Sequence, residues 1–346
     1  MNQAWHTFLT QHGAHFDGDR VCDFGQPDAE QQAALQTDIL CDLNHLSLIR
    51  ASGEELRDFL QGQLSNDIRQ VSDSHHQLST YCSPKGRILA LFRIFARDDA
   101  CYLRLPSSMQ EATLKRLRMF VLRSKVVLEP ELNLLGIGLS GPHSETLLRA
   151  QLGTLPAEAD EAVQVNGLTV LRVAGPHPRF EIYGEASSIQ AQWEKLAADC
   201  RPAGAAAWDL LDIHAGLPSV LPSTNEAFVP QMLNLQLING VNFKKGCYTG
   251  QEVVARMHYL GKLKRRMYLA KTSLNELPQP GDELSSPQSA SSQGAGKVVL
   301  AAPRGDGSYS LLVVAETSVA ESGQLFLERA GQHPIERLPM PYALES

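Results

Sequence analysis

From residue 39 to residue 198 strand-like and helix-like segments alternate, but tight turns rather than crossover helices separate several of the strands, which disfavours a parallel βαβ fold. An α+β architecture is expected instead. The pattern predicts a strand over 39–49, then a helix with Ser52 as N-cap and Glu55 three residues later, running through Leu56, Phe59 and Leu60. Strands over 78–82 and 88–96 flank Ser83-Pro84-Lys85-Gly86, which is good chemistry for a hairpin turn. A strand over 101–105 leads into a helix over 107–122. Segments 126–128, 132–139, 168–174 and 179–183 read as strands, and 143–151 and 187–198 as helices. A break is expected at Arg201-Pro202-Ala203-Gly204. After Lys264 the chain turns strand-rich and turn-rich, with a Pro/Ser/Gly segment over 277–296, which suits a small β-barrel or sandwich. The first 35 residues read as a lead-in segment.

With 346 residues, 43% hydrophobic and 20% charged, the chain has enough material for two or three domains with sizeable cores. A net charge of −7 argues against a dedicated nucleic-acid binder, so any RNA or anion contact must use a local patch. Met1-Asn2-Gln3-Ala4-Trp5-His6 has no basic n-region, and no stretch is apolar enough for a membrane span, so a cytoplasmic protein is expected. The 6 cysteines (Cys22, Cys41, Cys82, Cys101, Cys200, Cys247) form no C-x-x-C pair and no zinc spacing, which argues against disulfides and a self-contained cluster site.

Chemistry concentrates in Lys245-Gly246-Cys247-Tyr248-Thr249-Gly250-Gln251-Glu252. Thr249 and Glu252 have the spacing of a capping box opening an apolar-faced helix. Cys247 then lies just outside the helix start, where the macrodipole with Lys244 and Lys245 would favour a thiolate; a small residue in a tight turn is the plain alternative. From Lys244 to Arg266 the basic residues are Lys244, Lys245, Arg256, Lys262, Lys264, Arg265 and Arg266 against one acid, Glu252. Such a run is either a solvated face or a site for an anion: polyglutamate, phosphate or RNA backbone. Gly136-x-Gly138-x-x-Gly141 matches the dinucleotide fingerprint, but an antiparallel hairpin is expected after it, so NAD is not favoured. His214 and His258 are the histidines nearest Cys247 in sequence, and nothing fixes either beside it. Asn66-Asp67 suits either a pocket or a helix C-terminal turn.

The octapeptide at 245–252 resembles the signature of YgfZ-type folate-binding proteins, relatives of the glycine-cleavage T-protein (aminomethyltransferase). Further segments carry the same resemblance in family order: 59–67 (Phe-Leu-Gln-Gly-Gln-Leu-Ser-Asn-Asp), 82–87 (Cys-Ser-Pro-Lys-Gly-Arg), 122–126, 215–218 (Ala-Gly-Leu-Pro) and 228–235. The resemblance implies a three-domain ring with tetrahydrofolate or a folate derivative in a central cavity. Its two α+β domains would be interleaved, a folate-binding region over 36–125 and 205–262 and a second domain over 126–200, with a β-barrel over 263–346. It also implies support of iron–sulfur cluster assembly or repair in client enzymes, among them radical-SAM tRNA methylthiotransferases, with direct tRNA contact weak at most.

In that reading Cys247 is the working thiol and candidate transient cluster ligand, with Lys245 beside it. Asn66, Asp67, Arg87, His214, Gln251, Glu252 and Arg256 are assigned to folate and its loop, Arg87 and Arg256 facing an anionic part. One cysteine cannot hold a cluster alone, and Cys82 is the only second ligand considered from within. Two departures from the T-protein bear on mechanism. Where that enzyme has an Asp pair after a Gly-rich turn, this chain reads Gly86-Arg87-Ile88-Leu89-Ala90-Leu91, and where relatives place Glu before Ala-Gly it has His214. The alternative function, a tetrahydrofolate-dependent one-carbon transferase with Cys247 as nucleophile or His214 as base, therefore lacks its carboxylate.

Overall fold

The computed structural model describes residues 2–261, 263–289, 291, 294–328 and 332–344. Its chain folds into two compact units, one made of 1–56, 69–77 and 93–212, the other of 57–68, 78–92 and 213–346.

The first unit is built on a six-stranded sheet in the order Ala162–Val165, Leu168–Arg172, Arg179–Glu185, Leu134–Ser140, Ile39–Asp42, Arg201–Ala203. All neighbours are antiparallel except the last pair. The expected break at 201–204 is thus partly an edge strand. Its parallel bonding to Ile39–Cys41 tolerates Pro202, as edge positions do. Because Leu134–Ser140 pairs antiparallel on both sides, the glycine fingerprint has no βαβ context. Gly136 and Gly138 instead leave room for the rings of Tyr183 and Trp208.

The N-terminal 35 residues are not a lead-in. Helix Gln3–Gln11, capped by Asn2 Oδ1 accepting from the Ala4 and Trp5 amides, buries Trp5, Phe8 and Leu9 in the core of this unit. Trp5 meets Trp193 edge-on at 5.7 Å and donates its indole N–H to Asp42 Oδ1 at 2.8 Å. Helix Ser107–Arg118 buries Met109, Thr113, Leu114 and Leu117 on one face and ends four residues earlier than expected; Leu122 beyond it sits at φ 45°. The strand expected over 39–49 is two strands, Ile39–Asp42 and Leu46–Ser52. Ser52 therefore ends a strand instead of capping a helix, and the helix begins at Leu56. Within the unit Glu181 is buried between Arg104 (3.3 Å) and Arg93 (3.7 Å) and accepts from the Tyr183 hydroxyl at 2.7 Å. Burial opposes its charge, but the two guanidiniums hold its carboxyl below the usual range.

The second unit carries the hairpin of Gln77–Cys82 and the start of Ile88–Arg97, a strand that runs on into the first unit. Its C-terminal part is a closed six-stranded barrel ordered Arg265–Thr272, Tyr309–Glu316, Gly296–Pro303, Glu283–Ser285, Leu325–Glu328, Gln332–Leu338. Pairing of Leu269 with Leu338 closes it around Tyr268, Val298, Leu311, Val313 and Leu327. The α+β class and the terminal barrel are as the sequence led one to expect. No helix among the described residues is long and apolar enough to cross a membrane.

Candidate functional site

Cys247 is the one exposed cysteine of the 6; Cys22 is half-buried and the others are buried. It lies on a loop between strand-free segment 240–246 and helix Gln251–Leu260, and the loop is fixed at both ends. On the N-terminal side Lys245, 6% exposed, sends its ammonium to the carbonyls of Gln61 (2.7 Å), Asn66 (3.1 Å) and Leu64. Its Nζ also lies 5.1 Å from the Tyr248 ring. The sequence suggested a lysine serving the thiol electrostatically. The structure gives it a further task, anchoring the loop to the turn after helix Leu56–Gln63.

On the C-terminal side the expected capping box is absent. The N-cap is Gly250, at φ 83°, and no side chain caps the helix. The reason is tertiary: a Cβ on Gly250 would run into the Ser83 carbonyl oxygen, and one on Gly86, at φ 69°, would come within 2.9 Å of Val253 Cβ. The two glycines let hairpin turn and thiol loop approach backbone to backbone, in a conformation that costs other residues about 1–2 kcal/mol. The turn itself is closed by Gly86 N donating to Ser83 O and Ser83 N to Arg87 O, both at 2.8 Å. Glu252 remains in the first helical turn, exposed, where its charge suits the macrodipole; Gln251 is half-buried, its backbone N–H donating to Tyr248 O.

Asn66 serves the turn. Its amide nitrogen donates to Leu78 O (2.8 Å) and Asn239 O (2.6 Å), and its Oδ1 accepts from the Asp67 amide. Asp67 is buried beside it. Arg87 is half-buried and donates to Ala227 O at 2.7 Å, while Arg256 is exposed on the helix. His214, the last residue of helix Ala205–His214, reaches barrel residues: its Nε2 is 3.0 Å from Ser310 Oγ and 3.2 Å from Arg304 Nη1. Burial and the neighbouring guanidinium push its pKa down to about 4, so the ring is neutral and Nε2 accepts. Cys82 is unsuited to be an internal second ligand. Its side chain is fully buried, hydrogen-bonded with Thr80 Oγ1 at 3.3 Å, and desolvation raises its thiol to about 11. His258 is stacked on Phe243, with centroids 3.7 Å apart.

Two groups were not singled out from sequence. Ser83 Oγ and Gln231 Oε1 are buried without a hydrogen-bond partner, and both residues adjoin the start of the helix. Ser83 O faces Gly250, and Gln231 Nε2 donates to Val254 O at 2.6 Å. Both atoms keep hydrogen-bonding capacity that a ligand or water can use. Both lie inside segments that carried the resemblance, but their unpaired state is visible only in three dimensions. Among the described residues, no group of three or more His, Cys, Asp or Glu side chains is placed to hold a metal ion.

The profile of the GCVT N-terminal domain matches residues 11–245. A tRNA-modifying protein YgfZ of Colwellia psychrerythraea is 32% identical over 315 residues, 90% of this chain and 95% of its own. Its counterpart in Cronobacter sakazakii is 30% identical over 322 residues, 92% of this chain and 97% of its own. Among solved structures, glycine cleavage system aminomethyltransferase T from Bartonella henselae superimposes with a TM-score of 0.80 at 17% identity, covering 98% of this chain and 96% of that one, a likeness of fold.

Proposed function

The chain belongs to the family of YgfZ proteins, built on the GCVT domain, and from that premise we propose that it is a folate-binding accessory protein supporting iron–sulfur enzymes, with Cys247 as its working thiol. The observation that carries the proposal is the mounting of that thiol. A side chain left in solvent while its loop is tied down on one side by a buried lysine and on the other by a glycine–hairpin junction has a defined position and a free approach. An inert cysteine needs neither. The clients meant are cytoplasmic and include radical-SAM enzymes that methylthiolate tRNA, in keeping with the name of the relatives.

A tetrahydrofolate derivative fits the donor set around the loop. Arg87, half-buried, is a cation suited to its glutamate carboxylates, and Ser83 Oγ and Gln231 Oε1 are hydrogen-bonding atoms still able to take a partner. By the resemblance to the T-protein, the run Ile88-Leu89-Ala90-Leu91, apolar and buried, replaces that enzyme's Asp pair, which speaks against proton transfer at the folate nitrogen. Cluster handling by one thiol requires further ligands, supplied by the client or a small thiol.

The test uses Cys247→Ser in a strain lacking the native protein, assayed for tRNA methylthiolation and cluster-enzyme activity. Loss of both with retained tetrahydrofolate binding is expected, and unchanged levels would end the proposal. Incubation with methylene-tetrahydrofolate and amine or thiol acceptors decides the alternative. Turnover abolished by Cys247→Ala would make the protein a one-carbon transferase.

A further inference from the structure

Helix Gln251–Leu260 buries a single side chain, Val254, and leaves Val253, Tyr259 and Leu260 at 38, 65 and 84% exposure. A helix on a globular unit ordinarily turns such residues inward. Tyr259 belongs to an aromatic group with Phe243 and His258. The rings of Phe243 and His258 stack with centroids 3.7 Å apart and 9° between their planes, and Tyr259 meets His258 edge-on at 4.7 Å. The exposed charges on this helix and in the segments that flank it are Lys244, Arg256 and Lys264 against Glu252, on a chain whose net charge is −7. Arg265 does not join them, since its guanidinium is held by Glu316 and Gly294 O.

We propose that this face binds a single-stranded segment of RNA, with bases against Tyr259 and the His258–Phe243 stack and phosphates against Lys244, Arg256 and Lys264. Cations concentrated on an acidic protein select a polyanion, because like charge elsewhere repels the same partner from every other approach. Flat exposed rings beside those cations are what unstacked bases cover; duplex RNA hides its base faces and would leave the rings in water. An acidic protein surface would meet the charges, but carboxylates gain nothing from the negative faces of aromatic rings. The inference does not rest on the role of Cys247, which lies outside the stack.

Fluorescence anisotropy of an end-labelled single-stranded RNA of about 12 nucleotides, its duplex form and a polyglutamate peptide of equal charge tests it. Single-stranded RNA should bind most tightly, with log K falling against log salt at a slope of about −2 for three phosphate contacts. Arg256→Gln should lower that slope by about 0.7. Tyr259→Ala, an exposed position whose loss leaves the fold intact, should weaken binding about tenfold or more, and Tyr259→Phe should restore it. Cys247→Ser should bind like the native chain, which separates this outcome from the fate of the thiol proposal. No binding at about 50 mM salt, equal affinity for the duplex, or preference for polyglutamate would overturn the inference.

Discussion

Replacing Lys245 with Met tests whether the ammonium is a structural anchor. The substitution keeps length and volume but removes the donor that the carbonyls of Gln61, Leu64 and Asn66 share. Hydrogen bonds from a charged group contribute about 1.5–3 kcal/mol each, so three are worth roughly 4–9 kcal/mol gross. Against this, methionine escapes the cost of desolvating an ammonium that is 6% exposed, several kcal/mol for a buried ion. The net expectation is a loss of about 2–4 kcal/mol, of the size seen when one partner of a buried polar set is removed. Urea unfolding reads it directly as a lower midpoint at unchanged m, and amide exchange should quicken first in the turn that includes Ser65 and Asn66. Lys245→Arg should not rescue, since a planar fork cannot converge on three carbonyls arranged for a point charge. A loss below about 1 kcal/mol, with the turn's exchange unaltered, would refute the anchoring argument and return Lys245 to a purely electrostatic role.

Other outcomes follow from the same geometry. Gly250→Ala should cost about 2 kcal/mol or more, because it combines a left-handed φ of 83° with overlap on the Ser83 carbonyl, whereas alanine at exposed Gly246, which has open space for a Cβ, should change urea stability little. Cys247→Ser should leave the melting temperature within error, an exposed side chain contributing about 0.5 kcal/mol at most, so any phenotype reports chemistry. Burial keeps His45 neutral down to about pH 4, while an unfolded histidine takes its proton near 6.5. Its contribution to stability is therefore complete above about pH 6.5 and lost as pH falls towards 4. His45→Gln should reduce acid destabilisation over that interval by roughly 2–3 kcal/mol in pH-dependent urea titrations. An equal acid slope in the variant would show that the ring is solvated.

Much of this molecule is legible in its sequence, and the failures share a cause. The hairpin around Ser83–Gly86, helix Ser107–Arg118 and the barrel follow from apolar period and turn chemistry, both local properties. Trp5, Phe8 and Leu9 have helical spacing, but a helix of 9 residues rich in polar side chains gives only a short periodic signal, and only the sheet beneath reveals them as core. Thr249 has the right spacing for a capping box, but contact of Gly250 with a hairpin more than 160 residues earlier decides the helix start. The same holds at the site. Cys247, Arg87 and Arg256 could be named from residue type and neighbourhood, whereas the burial of Cys82, the turn toward the barrel of His214 and the unpaired atoms of Ser83 and Gln231 are properties of packing.

The junction of Gly86 and Gly250 has a consequence for anyone wishing to move this chemistry elsewhere. An octapeptide with an exposed thiol looks portable, a cassette to graft onto any helix. Its shape, however, is moulded against a second strip of backbone with no room for a methyl group between them. The transplantable module is the pair of segments, hairpin and loop together, and a graft carrying the loop alone would present a cysteine with no defined address.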